Sequence, residues 1–233
     1  MNFLSTFYTE VLFRPIFNAL FFLYDTVSFR DFGVAIILLT VIIRLLLYPL
    51  FKKALTAQKR MGEIQPDIKR IQQEYKDNKE VQAQKLMELY RERGVNPFSG
   101  CFPILIQLPI LIALYQTFLY VFDPGHLNLL YSFVPHPETV NSIAFGFLDL
   151  TQKSIAMGVL AGVSQYFQAL TMPQPNGQEL KPGEPDMAKI LSYQMKYFFP
   201  FLIFFISWSL PSALPLYWTV LNLFAIVQQK LVK

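Results

Sequence analysis

The chain has 233 residues, of which 53% are hydrophobic, 16% aromatic and only 15% charged, with a formal net charge of +4 and a mean hydropathy of +0.35. That is too apolar for a water-soluble domain of this length, so the composition indicates an integral membrane protein. A single cysteine, Cys101, excludes an internal disulfide and is expected to be a buried apolar residue. There is no Gly-rich phosphate-binding loop, no zinc-protease His-Glu motif and no Cys/His cluster, so nucleotide hydrolysis, a metal, a cofactor and enzyme chemistry are not expected. His126 and His136 share one loop and are read as solvated.

Residues 1–32 are read as an external amphipathic helix with its connection. Thr6, Glu10, Arg14 and Asn18 form a polar row at i, i+4 spacing, with Glu10 preceding Arg14 as a favourable pair. Such a helix can lie in the membrane interface or span it, and two charges near its centre favour the interface. No signal-peptide pattern opens the chain, so no processing is expected.

Residues 33–51, GVAIILLTVIIRLLLYPLF, are apolar for nineteen positions apart from one arginine and predict the first transmembrane helix. Arg44 then lies within the bilayer, where a guanidinium keeps its charge and must find water, a partner or a route to the headgroups. Two readings compete: snorkelling toward the Lys52 end, or a functional charge facing a wet cavity. Thr40, Arg44 and Tyr48, spaced i, i+4, i+8, would make one polar stripe on that helix.

Residues 52–98 differ abruptly, with eleven Lys/Arg against seven Asp/Glu in 52–93, a net of +4 that equals the excess of the whole chain. Met61, Ile64, Ile68, Ile71 and Tyr75 step by 3, 4, 3, 4, and the spacing resumes at Ala83 after an Asp77-Asn78 break. This predicts a two-helix hairpin outside the membrane, with Pro66 in the first turn of its first helix and Gly94 capping the second. Lys/Arg-rich loops stay in the cytoplasm, which sets the topology.

Residues 99–122 predict the second span, containing Pro103, Pro109, Gln107 and Gln116 and therefore bent or packed beside polar groups. Residues 123–152 form an external loop with no Lys or Arg in 123–149. Residues 153–172 predict the third span, where Gly158-x-x-x-Gly162 allows close helix contact and Gln165 and Gln168 share a face, either as interhelical glue or lining a wet groove. Residues 173–194 are a cytoplasmic loop, 195–210 a short fourth span, and 211–233 a fifth span with a short cytoplasmic tail. Trp218 and Asn222 share a face of the fifth. The expected fold class is thus an all-α polytopic membrane protein with five transmembrane helices, an interfacial N-terminal helix and a cytoplasmic hairpin. Its N-terminus lies outside and its C-terminus inside. None of the five spans contains Asp or Glu, so Arg44 has no intramembrane carboxylate from its own chain.

Several stretches together resemble the YidC membrane-protein insertase family, with its Oxa-type and Alb-type relatives. They are TVIIRLLLYPL around Arg44, the hairpin beginning IQPDIKRIQ, the NPFSGCFPILIQLPILIALY run, and the LPSALPLYWTVLNLFAIVQQ close. The match runs from about Asp31 onward. The resemblance implies a bacterial plasma-membrane protein with a hydrophilic groove open to cytoplasm and lipid but closed outside. Carried onto this sequence, the groove residues are Arg44, Thr40, Gln107, Gln165, Trp218 and Asn222, with Trp218 standing where relatives often have tyrosine. Compared with larger relatives, the chain shows neither an extra N-terminal span with an external domain nor a long basic tail. The hairpin, 52–98, is therefore the expected contact for the Sec translocon, a targeting receptor or the ribosome, without nucleic-acid sequence recognition.

The implied activity is passage of short hydrophilic segments of nascent membrane proteins along the groove while their apolar segments enter lipid. The alternative class is a small transporter or channel using Arg44 as an anion site, which would need a path open to both sides. A structural scaffold, a third class, would tolerate polar substitutions in the groove.

Overall fold

A computed structural model describes residues 3–96, 102–137, 140–172 and 193–231, and these are mostly helical. Cys101 and nearly all of the loop at 173–194 lie outside the described residues. The chain opens with α1 (Phe3–Tyr8), which runs through a π-helical turn (Thr9–Phe13) into α2 (Arg14–Thr26). One face of α2, carrying Phe17, Leu20, Phe21 and Tyr24, is fully buried. The expected polar row is only partly external. Glu10 and Arg14 pair at 3.3 Å, but Asn18 is buried, donating to the Arg14 and Leu129 carbonyls and accepting from the Tyr131 N–H. A polar residue on an apolar face thus pins the loop that follows the second predicted span.

Asp31 caps α3 (Phe32–Leu46) by accepting from the Val34 N–H, and its other carboxylate oxygen accepts from Phe145. The span predicted over 33–51 is not one straight helix. It breaks at Leu47, and α4 (Tyr48–Glu63) leaves at 65° to α3. The cause is Pro49, which has no N–H to donate and would press its ring on the carbonyl four residues back, so the helix ends a turn earlier and restarts with Pro49 in its first turn. Tyr48 therefore leaves the stripe that Thr40 and Arg44 share. The two-helix hairpin expected over 52–98 is likewise three helices, because α4 carries on to Glu63 before α5 (Gln65–Glu74) and α6 (Lys79–Glu92) form the antiparallel pair. Pro66 stands in the first turn of α5 and Gly94 follows α6 at φ +60°, the left-handed conformation a helix stop favours. Ile64, Ile68, Leu89 and Val95 form its small core, and Arg93 clamps Asp67 at 2.9 Å.

The remaining helices are α7 (Phe102–Tyr120), α8 (Ile155–Thr171), α9 (Phe199–Ser209) after a π turn (Gln194–Phe198), and α10 (Ala213–Leu231). Among the described residues no single helix is long and apolar enough to cross a membrane; the bent α3–α4 pair reaches that length and composition together, and Leu105–Tyr120 is a shorter apolar helix. The loop over 123–152 is structured, with a 3-10 turn (Pro124–Leu129) and a two-stranded hairpin pairing Ile143 with Asp149. Ser212 donates to the Gln152 carbonyl from both N–H and hydroxyl, tying this loop to the start of α10.

Burial is graded along the bundle. At the α2 end, Phe17, Phe21, Phe32, Leu114, Val121 and Leu150 leave 2% or less of their surface exposed, and Tyr24 stacks on Phe32 at 4.0 Å. Toward the end from which α4 and the hairpin depart, the buried side chains include Arg44, Gln168, Asn222 and Gln228.

Candidate functional site

The site is built on α3. Thr40 and Arg44 lie one turn apart and both are buried. The Thr40 hydroxyl donates to the Ile36 carbonyl at 2.6 Å, the internal bond by which a helix satisfies a hydroxyl. Arg44 is 7% exposed, and its guanidinium carbon stands 4.4 Å from the centre of the Phe51 ring. In a straight helix Phe51, seven residues on, would lie ~10 Å further along the axis. The bend at Leu47 is what folds the ring back over the cation, and a desolvated cation gains most from an aromatic face. Arg44 Nε has no hydrogen-bond partner, and among the described residues no carboxylate forms an ion pair with Arg44.

Two further helices converge on the same place. Gln107 of α7 donates through Nε2 to the Tyr217 hydroxyl of α10 at 2.5 Å, and Tyr217, 1% exposed, is close enough to Arg44 to interact with it electrostatically. Pro49 acts indirectly, through the Phe51 contact.

The other residues marked from the sequence lie along α8 and α10. Asn222 donates to the Ser164 hydroxyl at 3.0 Å, and Gln165 donates to Gln168 at 3.2 Å within its own helix. Thr171 bonds Gln229, and the Gln228 amide nitrogen is buried without a partner. Trp218 is half-buried against the apolar core. The structure therefore joins Arg44, Gln107 and Tyr217 around one point, and engages Asn222 and Gln165 in polar contacts of α8. Tyr217 is not among the residues expected from the sequence, where its neighbour Trp218 stands instead. Its signal was the helical spacing that it shares with buried Leu221 and Gln228. Thr117 and Ser207 also bury hydroxyls that lack a partner.

The site holds a cation, an amide and a phenol in a setting of low dielectric, with Arg44 Nε the donor there that lacks a partner. Among the described residues no group of three His, Cys, Asp or Glu could hold a metal. His126 stacks on Tyr120 at 3.9 Å beside Asp123, and His136 is exposed.

The model of the 60Kd inner membrane protein family matches residues 22–233, from within α2 through α10. The chain belongs to that family. It is 33% identical over 224 residues, 94% of its length, to the membrane protein insertase YidC of Rickettsia massiliae, covering 38% of that relative. It is 35% identical over 201 residues, 85% of its length, to the YidC insertase of Francisella philomiragia, and 36% identical over 201 residues to that of Francisella tularensis subsp. novicida, covering 32% of each. The chain thus spans about a third of the length of these relatives. The whole Arg44 site falls inside the family match.

Proposed function

We propose that this chain is a membrane-protein insertase of the bacterial plasma membrane, not an enzyme, acting alone or with the Sec translocon. The observation that carries this reading is Arg44, buried without a carboxylate beside Gln107 and Tyr217, in a bundle whose α2 end is packed with aromatic side chains. A polar segment of a nascent membrane protein would enter from the hairpin end, exchanging its hydration for the guanidinium, the amide and the phenol. Acidic segments gain most, because Coulomb attraction strengthens as water is excluded. The packed α2 end would stop that segment from meeting an open pore, which separates an insertase from a conduit. Thr40, Gln165, Trp218 and Asn222 line or brace the same route.

In this reading α3, α7, α8, α9 and α10 are the five membrane segments, with the N-terminus outside, the C-terminus inside, and α1 and α2 lying on the outer surface. By helical rise α8 is about 25 Å and α9 about 16 Å long, against a hydrocarbon thickness of about 30 Å. Short helices favour a locally thinned bilayer, which shortens the path for a polar segment. Burial of the substrate's apolar segment in lipid drives the step, in keeping with a sequence that carries no nucleotide-binding loop. Residues 52–98 serve as the contact for the Sec translocon, a targeting receptor or the ribosome.

The test is insertion of a substrate with an acidic translocated tail by Arg44→Ala and wild type at equal expression. Yield should fall sharply in the variant and less for a neutral tail; equal yields would reject the reading.

A further inference from the structure

α8 and α9 pack closely through two glycines. A Cβ at Gly162 would lie 3.0 Å from Phe204 Cβ and 3.1 Å from the Pro200 carbonyl oxygen, and one at Gly158 would lie 3.2 Å from the Trp208 nitrogen. Alongside this contact runs a groove of about 410 Å³. Its walls are Val159, Val163, Pro200, Phe201 and Phe204, with Tyr166, Tyr197 and Lys196 completing the lining. Val163 and Phe201 are 47% and 61% exposed, so the groove opens on the outside of the bundle. It is separate from the Arg44 site: Ser164 and Gln168, on the other face of α8, are buried.

The one charged group of the lining is Lys196, carried by the π-helical turn Gln194–Phe198. Its Nζ lies 5.3 Å from the centre of the Tyr197 ring, whose own centre is 6.2 Å from that of Tyr166 and 5.9 Å from that of Tyr193. Among the described residues Lys196 forms no ion pair with an acid. Single-turn π segments within helices are frequent at functional sites. An apolar channel with an ammonium and tyrosines at one side matches an amphiphile with an alkyl chain and an anionic head.

We propose that this groove binds one anionic phospholipid, its phosphate at Lys196 and an acyl chain laid along the exposed side chains of Val159, Val163 and Phe201. The proposal rests on reading α8 and α9 as membrane segments. The lipid lies beside the glycine contact, on the exposed side of the pair, and so holds α9 against α8.

The full chain, purified in detergent and stripped of lipid, is titrated with phosphatidylglycerol or phosphatidylcholine and read by native mass spectrometry. Wild type should retain phosphatidylglycerol about fivefold better, the preference expected of one interfacial cation. Lys196→Gln, an exchange of a partly exposed side chain, should abolish the preference and Lys196→Arg keep it. Val163→Trp should reduce retention of both lipids. Equal retention by wild type, a preference that survives Lys196→Gln, undiminished binding by Val163→Trp, or displacement of the lipid by inorganic phosphate would each overturn the proposal. Arg44→Ala should keep the lipid preference while losing insertion, so the two readings fail separately.

Discussion

The two ends of the helical bundle solve opposite problems. Around α2, Phe17, Phe21, Tyr24, Phe32 and Phe118 interlock with Leu130 and Leu150, Asn18 and Ser212 bond to backbone groups, and the buried Thr117 hydroxyl lacks a partner. Toward the hairpin end, Arg44 and Gln228 bury nitrogen atoms that nothing in the described chain satisfies. The unsatisfied group at the packed end is a neutral hydroxyl, whereas at the other end it belongs to a guanidinium and an amide, whose burial costs more.

Phe32→Ala tests the packed end most severely. It removes a ring stacked on Tyr24 and edge-on to Phe21 and Phe122, so unfolding in mixed micelles should show a loss of about 3–5 kcal/mol. Arg44→Met should act in the opposite sense. Replacing a buried charge that lacks a carboxylate with an apolar chain of similar length should leave stability unchanged or raise it by about 1–4 kcal/mol, while insertion of an acidic tail collapses. A destabilised Arg44→Met would show that the cation holds the fold instead of serving a guest, and the contrast between the ends would fail. Gly33→Val comes next, since its Cβ would lie 2.6 Å from both Ala144 Cβ and the Phe145 ring; overpacking should lose about 1–3 kcal/mol at the α2 end and spare substrate preference.

Asn222→Ala should remove only about 0.6 kcal/mol, the usual size of an interhelical side-chain bond in a membrane, because it cuts a single contact to Ser164. The smallest effect belongs to the loop outside the bundle. Thr151 donates to Asp149 from hydroxyl and backbone N–H and holds that carboxyl below its ordinary range. Because the folded-state value is depressed, the contribution is present above the unfolded value and disappears as pH falls through the folded one. Thr151→Ala should move the Asp149 titration upward, followed by carboxyl carbon shifts; an unmoved titration would exclude the hydroxyl as the cause.

The Phe51 contact depends on tertiary structure that no local pattern of the chain encodes. Composition and apolar runs determined that this is a helical membrane protein, that Arg44 sits in its first apolar stretch, and that no acid of the other stretches can neutralise it, because hydropathy and charge are local properties of the chain. Pro66 and Gly94 were equally legible, since each acts on its own helix end. The 65° break at Leu47 was written in Pro49, but whether a proline kinks or ends a helix depends on what the next segment packs against. The convergence of Arg44, Gln107 and Tyr217 joins residues up to 173 positions apart in sequence, and the engagement of Asn222 with Ser164 joins residues 58 apart. Only the packing of α3, α7, α8 and α10 decides such meetings, because helical spacing says which residues share a face and not which face turns toward which neighbour.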